Sequence, residues 1–66
     1  MSVLLNGERR ELADGTTVEQ LVAGLDAPGR GTAVALDAEV VPRSQWATTV
    51  VPDGAHVEVV TAIQGG

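Results

Sequence analysis

Apolar and polar residues alternate at both ends of the chain and switch to a helical spacing between them. In "SVLLNGERREL", Val3 and Leu5 fall on one face of an extended strand and Leu4 on the other. Asn6-Gly7 then supplies the positive φ that both central residues of a type I′ hairpin turn require. The return segment, Glu8 to Leu12, is polar and reads as an edge strand, where charge discourages sheet-to-sheet association. Downstream, Val18, Leu21, Val22 and Leu25 recur at the i, i+3, i+4, i+7 spacing of one helical face. Thr16 fits the N-cap of that helix, with Glu19 three residues on to complete a capping box. Gly24 inside it costs about 1 kcal/mol relative to alanine and allows close packing on a sheet. Asp26, Ala27, Pro28 and Gly29 end it.

Three further strands are predicted. Thr32 to Leu36 is small and apolar, as a mostly buried strand would be, and Asp37-Ala38 connects it tightly to Glu39 to Val41. Pro42 opens a short helical turn, "PRSQW", and Trp46 is expected to fold its ring onto the core. Pro52-Asp53-Gly54 is a turn in which proline presets φ, the aspartate bonds neighbouring backbone and glycine closes. In the last strand Val57, Val59 and Thr61 face one side, and Glu58, Val60 and Ala62 the other. The predicted order is strand, strand, helix, strand, strand, strand, an α+β domain spanning residues 1–63 with a flexible tail at 64–66.

Composition narrows the functions open to such a domain. At 66 residues and 44 % apolar, with Trp46 its one aromatic residue, the chain makes one small core. Its stability is expected near the low end of the usual ~5–15 kcal/mol, which leaves little capacity for a buried catalytic site. The net charge of −5, with Arg9, Arg10, Arg30 and Arg43 as the basic residues, argues against a nucleic-acid binder. That charge serves solubility or steers the chain to a basic partner surface. No cysteine is present, so there is no disulfide, thiolate nucleophile or cysteine metal site. "MSVLLNGERR" lacks the basic start and long apolar run of a secretory signal, and no stretch approaches a membrane span, so the cytoplasm is the expected compartment.

Catalytic chemistry is thin. His56 is the one histidine; general-base work needs an orienting partner in reach, and a lone histidine at a strand start is most often simply a polar residue facing solvent. "GLDAPGRG" is glycine-rich but lacks the spacing and lysine of a phosphate loop. No carboxylate or histidine group has metal-ligand spacing. Attention therefore falls on "AIQGG". Two glycines can thread a narrow channel, and from Ile63 the last three residues reach roughly 10 Å when extended. The functional group at the tip is the Gly66 α-carboxylate. A presentation arm and a frayed or appended terminus are both compatible with this end.

The order of elements with its Gly-Gly end resembles the ubiquitin-like β-grasp sulfur carriers. Within these, "VPRSQW" at 41–46, "VPDGAHVEVVTAIQGG" at 51–66, "LNGE" at 5–8, "DGTTVEQLV" at 14–22 and "VALD" at 34–37 look like the ThiS family of thiamin (thiazole) biosynthesis. The likeness covers essentially the whole chain; the low aromatic content and the valine at position 60 are its departures. It implies a mixed β-sheet with the first and last strands adjacent and parallel, and one main helix packed across one face. It also implies a carrier that is not itself an enzyme and binds no cofactor. A partner adenylating (E1-like) enzyme would use ATP and Mg²⁺ to turn the Gly66 carboxylate into an acyl adenylate. A persulfide sulfur, from a donor such as a cysteine desulfurase, would then give a Gly66 thiocarboxylate for a thiazole synthase. Gly65 and Gln64 would thread the partner's active site. Val60, Ala62 and Ile63 would help form the docking surface, and Arg43 is either a partner contact or a solvated surface arginine. The carrier itself is expected to be a monomer. Carriers for molybdopterin, cysteine or thio-natural products share this pattern, as do ubiquitin-like protein modifiers; a plain β-grasp binding module with an inert tail is a further alternative.

The chain also has no lysine. An activated Gly66 therefore meets no strong side-chain nucleophile on its own surface, a property that limits self-acylation or simply reflects an arginine-preferring genome. If the former holds, Gln64→Lys increases adducts between carrier molecules during activation, read as higher-mass bands on a denaturing gel; unchanged adduct levels count against it.

Overall fold

The computed structural model describes residues 1–25 and 31–61. Five strands and one α-helix form among them: β1 (Ser2–Leu5), β2 (Glu8–Glu11), α1 (Val18–Ala23), β3 (Thr32–Leu36), β4 (Glu39–Val41) and β5 (His56–Thr61), with a 3-10 turn at Arg43–Gln45. The sheet order is β2-β1-β5-β3-β4. β1 and β5 are parallel, and the other pairs are antiparallel. A parallel neighbour cannot be reached by a tight turn, so the whole of β2, α1, β3 and β4 lies between them in the chain. β2 is the expected charged edge, and every one of its residues is exposed. On it Glu11 accepts from the Ser2 hydroxyl and from Arg9, bonds that hold its carboxyl below the ordinary carboxylate range.

α1 lies on one face and fixes which side of each strand is buried. Val18, Leu21 and Val22 from the helix meet Val3, Leu5, Val34 and Val57 from the sheet, with Trp46, Val51 and Ala55 closing the cluster. Leu25, the last member of the predicted helical face, packs at its margin. Trp46 folds onto the core as expected, and its indole N–H donates to the Val41 carbonyl at 2.9 Å. That bond satisfies the one polar atom the ring takes inside.

Four local expectations need correction. The N-cap is Thr17 rather than Thr16, and the capping box closes with Gln20 rather than Glu19. The segment before the helix is held extended by pairing with the strand-like run at 49–51: Val51 N–H donates to Thr16, and Val18 N–H to Thr49. The Thr16 hydroxyl meanwhile donates to the Ala13 carbonyl at 2.6 Å. Helical backbone can therefore begin only at Val18. Gly24 sits at the C-cap, not inside the helix, and an added Cβ there would make ordinary contacts of 3.6 and 3.7 Å with backbone carbonyls; close packing does not require it. β3 is less buried than its apolar composition suggests: Val34 is inside, whereas Ala33 is exposed and Ala35 half-buried. With a helix on one face only, the alternate residues of a central strand point away from the core. Finally, the Asp53 carboxylate does not serve its own turn. It accepts from the backbone N–H of Ser2, 51 positions away, at 2.9 Å. The predicted helix stop at 26–29 lies outside the described residues, as does the tail at 64–66.

Because this small core is shared by helix and sheet, single truncations are costly. Leu21→Ala is expected to lose about 2–5 kcal/mol. Urea unfolding followed by the fluorescence of Trp46, itself part of the cluster, checks the value.

Candidate functional site

Among the described residues no group of three or more His, Cys, Asp or Glu could hold a metal ion. Nor is any helix long and apolar enough to cross a membrane. His56 opens β5 with its side chain exposed. The Asp37 carboxylate beside it accepts from the His56 backbone N–H at 2.9 Å, and the Asp37 N–H donates to the His56 carbonyl at 2.8 Å. Asp37 thus works on the strand backbone and not on the imidazole.

What the fold does build is a central strand that leads into the last residues of the chain. β5 lies between β1 and β3. On the β3 side the ladder is continuous to its end, pairing Val59 with Val34, Val60 with Ala33 and Thr61 with Thr32. Gln64, Gly65 and Gly66, together with Ala62 and Ile63, follow Thr61 and lie outside the described residues.

The sheet face away from α1 is open. Val60, at 60 % exposure, stands on it beside Ala33. Leu4 on β1 and Val40 on β4, at 36 % and 71 %, extend the apolar surface to either side. His56 and Glu58 share this face of β5 with Val60, spaced two residues apart. A shallow hollow of about 410 Å³ over the β1–β5 seam is lined by Leu4, Asn6, Gly7, His56, Val57 and Glu58. Of the sequence-predicted docking residues, Val60 therefore has a defined place. Arg43 is elsewhere: it belongs to the 3-10 turn after the edge strand β4, with its guanidinium 5.3 Å from the centre of the Trp46 ring. A cation over an aromatic face is held by the ring quadrupole. The sequence carried both partners of this contact three positions apart, the spacing that stacks side chains on a helical turn.

Sequence reasoning missed Leu4, Ala33, Ala35 and Val40 as members of the open face. Alternation in β1 and β3 was the available signal, but it becomes decisive only once a single helix is known to cover the sheet. It also assigned Asn6 to its turn alone. In the structure the Asn6 side chain contacts β5: its Oδ1 accepts from Val59 N–H at 2.9 Å, and its Nδ2 donates to the Val59 carbonyl at 3.2 Å.

Comparison with known proteins gives this arrangement its context. The ThiS family model matches residues 3–66, a span that includes both terminal glycines. The sulfur carrier protein ThiS of Escherichia coli (strain K12) is 38 % identical over 66 residues, covering 100 % of both chains. A thiazole synthase of Paramagnetospirillum magneticum is 39 % identical over 66 residues; the match takes in 100 % of this chain and 20 % of that protein. The crystal structure of the thiamine biosynthesis protein ThiS from Geobacter metallireducens superposes with a TM-score of 0.85 at 30 % identity, over 100 % of each chain. The mixed five-stranded sheet with its single helix is accordingly the ubiquitin-like β-grasp, and the chain belongs to the ThiS family.

Proposed function

We propose that this chain is a sulfur carrier for thiazole formation in thiamin biosynthesis and that Gly66 is the residue that carries the sulfur. The observation behind the reading is the full-length likeness to a sulfur carrier protein, extending through Gly65 and Gly66. The chain acts as a co-substrate and not as an enzyme. A carboxylate is a poor electrophile, so the cycle begins on an adenylating (E1-like) partner that supplies ATP and Mg²⁺. A Gly66 carboxylate oxygen attacks the α-phosphorus of ATP, and pyrophosphate leaves. The terminal sulfur of a persulfide, from a donor such as a cysteine desulfurase, then attacks the acyl carbon. AMP departs with the activated oxygen. A thiol cleaves the resulting acyl disulfide and leaves the thiocarboxylate on Gly66. Thiazole synthase takes that sulfur; a synthase with a segment resembling this whole chain supports this partner.

The open sheet face is the docking surface in this reading. Val60 on the strand that leads to the tail and Leu4 on its neighbour supply exposed apolar area; Ala62 and Ile63, the other residues assigned to docking, follow in the sequence. All partners must reach Gly66, so they share this side of the molecule in turn. Gly65 and Gln64 enter each partner's active site, where the absence of a Cβ at Gly65 suits a narrow channel. Arg43, stacked on Trp46 beyond β4, contributes at most to the margin of such a surface. An ATP-dependent cycle of this kind belongs in the cytoplasm.

Intact mass after co-expression with the adenylating enzyme tests the reading. A gain matching one oxygen exchanged for sulfur, located on Gly66 by fragmentation, is expected. No gain with ATP, Mg²⁺ and a competent donor present would overturn it. Transfer to a purified thiazole synthase separates the thiazole pathway from other sulfur-carrier pathways. Gly65→Ala is expected to leave thermal unfolding unchanged while slowing ATP–pyrophosphate exchange with the cognate enzyme.

A further inference from the structure

The seam between β1 and β5 is short. Leu4 and Leu5 pair with His56 and Val57, and the last backbone bond across it runs from Asn6 N–H to the Val57 carbonyl at 2.8 Å. At that point β1 turns away: Asn6 and Gly7 have φ of 50° and 83°, and the chain reverses into β2. β5 continues to Thr61 with β3 on one side. On the other side a parallel ladder would next place a β1 carbonyl against Val59 N–H. The Asn6 carboxamide occupies that place. Its Oδ1 accepts from Val59 N–H at 2.9 Å and its Nδ2 donates to the Val59 carbonyl at 3.2 Å. A carboxamide has the donor and acceptor of a peptide group, so the ladder gains one step after the backbone has left.

The turn alone does not call for this side chain. Asp-Gly and Gly-Gly satisfy a type I′ turn as Asn-Gly does. Aspartate would accept from Val59 N–H but could not donate to its carbonyl when ionised, and glycine would do neither. The two-bond match to Val59 is therefore a separate property of Asn6, and Val59 stands seven positions before Gly66.

We propose that Asn6 is a positioning residue for the reaction at Gly66: its carboxamide pins the β1 side of β5 at Val59 and so holds in place the strand from which the chain continues to Gly66. The inference rests on the carrier reading above. A reacting group held in the right geometry gains rate from its position, and a small displacement at its root is costly. Docking depends on other contacts, because Leu4 and Val60 are held by the β1–β2 and β3–β5 ladders.

The test uses the full chain with Asn6→Gly, which keeps the turn and strips the clamp, and Asn6→Asp, which keeps the turn and the acceptor. Amide hydrogen exchange is read at Val59 against Val57 and Val34, and ATP–pyrophosphate exchange with the cognate adenylating enzyme is read as kcat and KM for the carrier. Losing the bonds is expected to cut protection at Val59 by roughly three- to tenfold each, with Val57 and Val34 little affected. kcat is expected to fall in both variants, more in Asn6→Gly, while KM stays near the wild-type value. Unchanged protection at Val59 in both variants, or lost protection with unchanged kcat, overturns the proposal. Wild-type protein that supports no exchange overturns the carrier reading itself and the positioning role with it; an active wild type with an equally active, loosened Asn6→Gly overturns the positioning role alone. If Asn6→Gly does not fold, Asn6→Asp decides the matter by the same two readouts.

Discussion

β1 and β5 are joined by two residue pairs and by backbone bonds from Leu4 and Asn6 to the carbonyls of Ala55 and Val57. The rest of the sheet hangs from this seam. β2 pairs with β1 alone, while β3 and β4 reach β1 only through β5. So little backbone pairing would be weak by itself, and side chains from two turns reinforce it. Asp53 accepts from Ser2 N–H at the start of β1, and Asn6 holds Val59 beyond the last shared rung, while Asp37 accepts from His56 N–H and secures β5 on its β3 side. Carboxylate and carboxamide acceptors from turns thus satisfy strand N–H groups that the neighbouring backbone does not reach.

The seam also divides the work of the two faces. On the α1 side, Val3, Leu5, Val34 and Val57 are committed to the core with Val18, Leu21 and Val22. On the other, Leu4, Val60 and Val40 are exposed. A small domain cannot both bury a catalytic centre and keep a core of this size. The carrier reading asks for neither a buried site nor a pocket. It asks for a rigid central strand, an apolar face beside it and a slender end that bears a carboxylate.

Elements whose cause is local were legible in the sequence. Asn6-Gly7 and Asp37-Ala38 take positive φ at both positions, as tight hairpin turns require, and the chain returns as β2 and β4. The helical face was found through its spacing, although its cap moved by one residue because residues 49–51 pair with the segment ahead of it. The exposure of Ala33 could not be read from β3, since a run of small apolar residues looks alike under one layer or two. The reach of Asp53 to Ser2 and of Asn6 to Val59 was equally hidden: turn residues are chosen by backbone angle, and a second bond across more than fifty positions depends on the finished sheet. For the candidate site, the terminal glycines and Val60 stood out in the sequence, whereas the breadth of the open face needed the sheet order.

The central position of β5 has a further consequence for synthesis. Ribosomes release the chain from its N-terminus, so β1, β2, α1, β3 and β4 emerge before β5 does. Until residues 56–61 arrive, the β1–β2 hairpin and the β3–β4 hairpin have no edge in common, and the valine core that spans them cannot close. Contacts of such long sequence separation are slow to form because the intervening chain must first be ordered. The same strand that completes the sheet leads into residues 62–66, so the root of that segment and the continuous sheet face are formed in a single late event. A nascent or truncated copy that lacks β5 would present two separate hairpins in place of one joined apolar face.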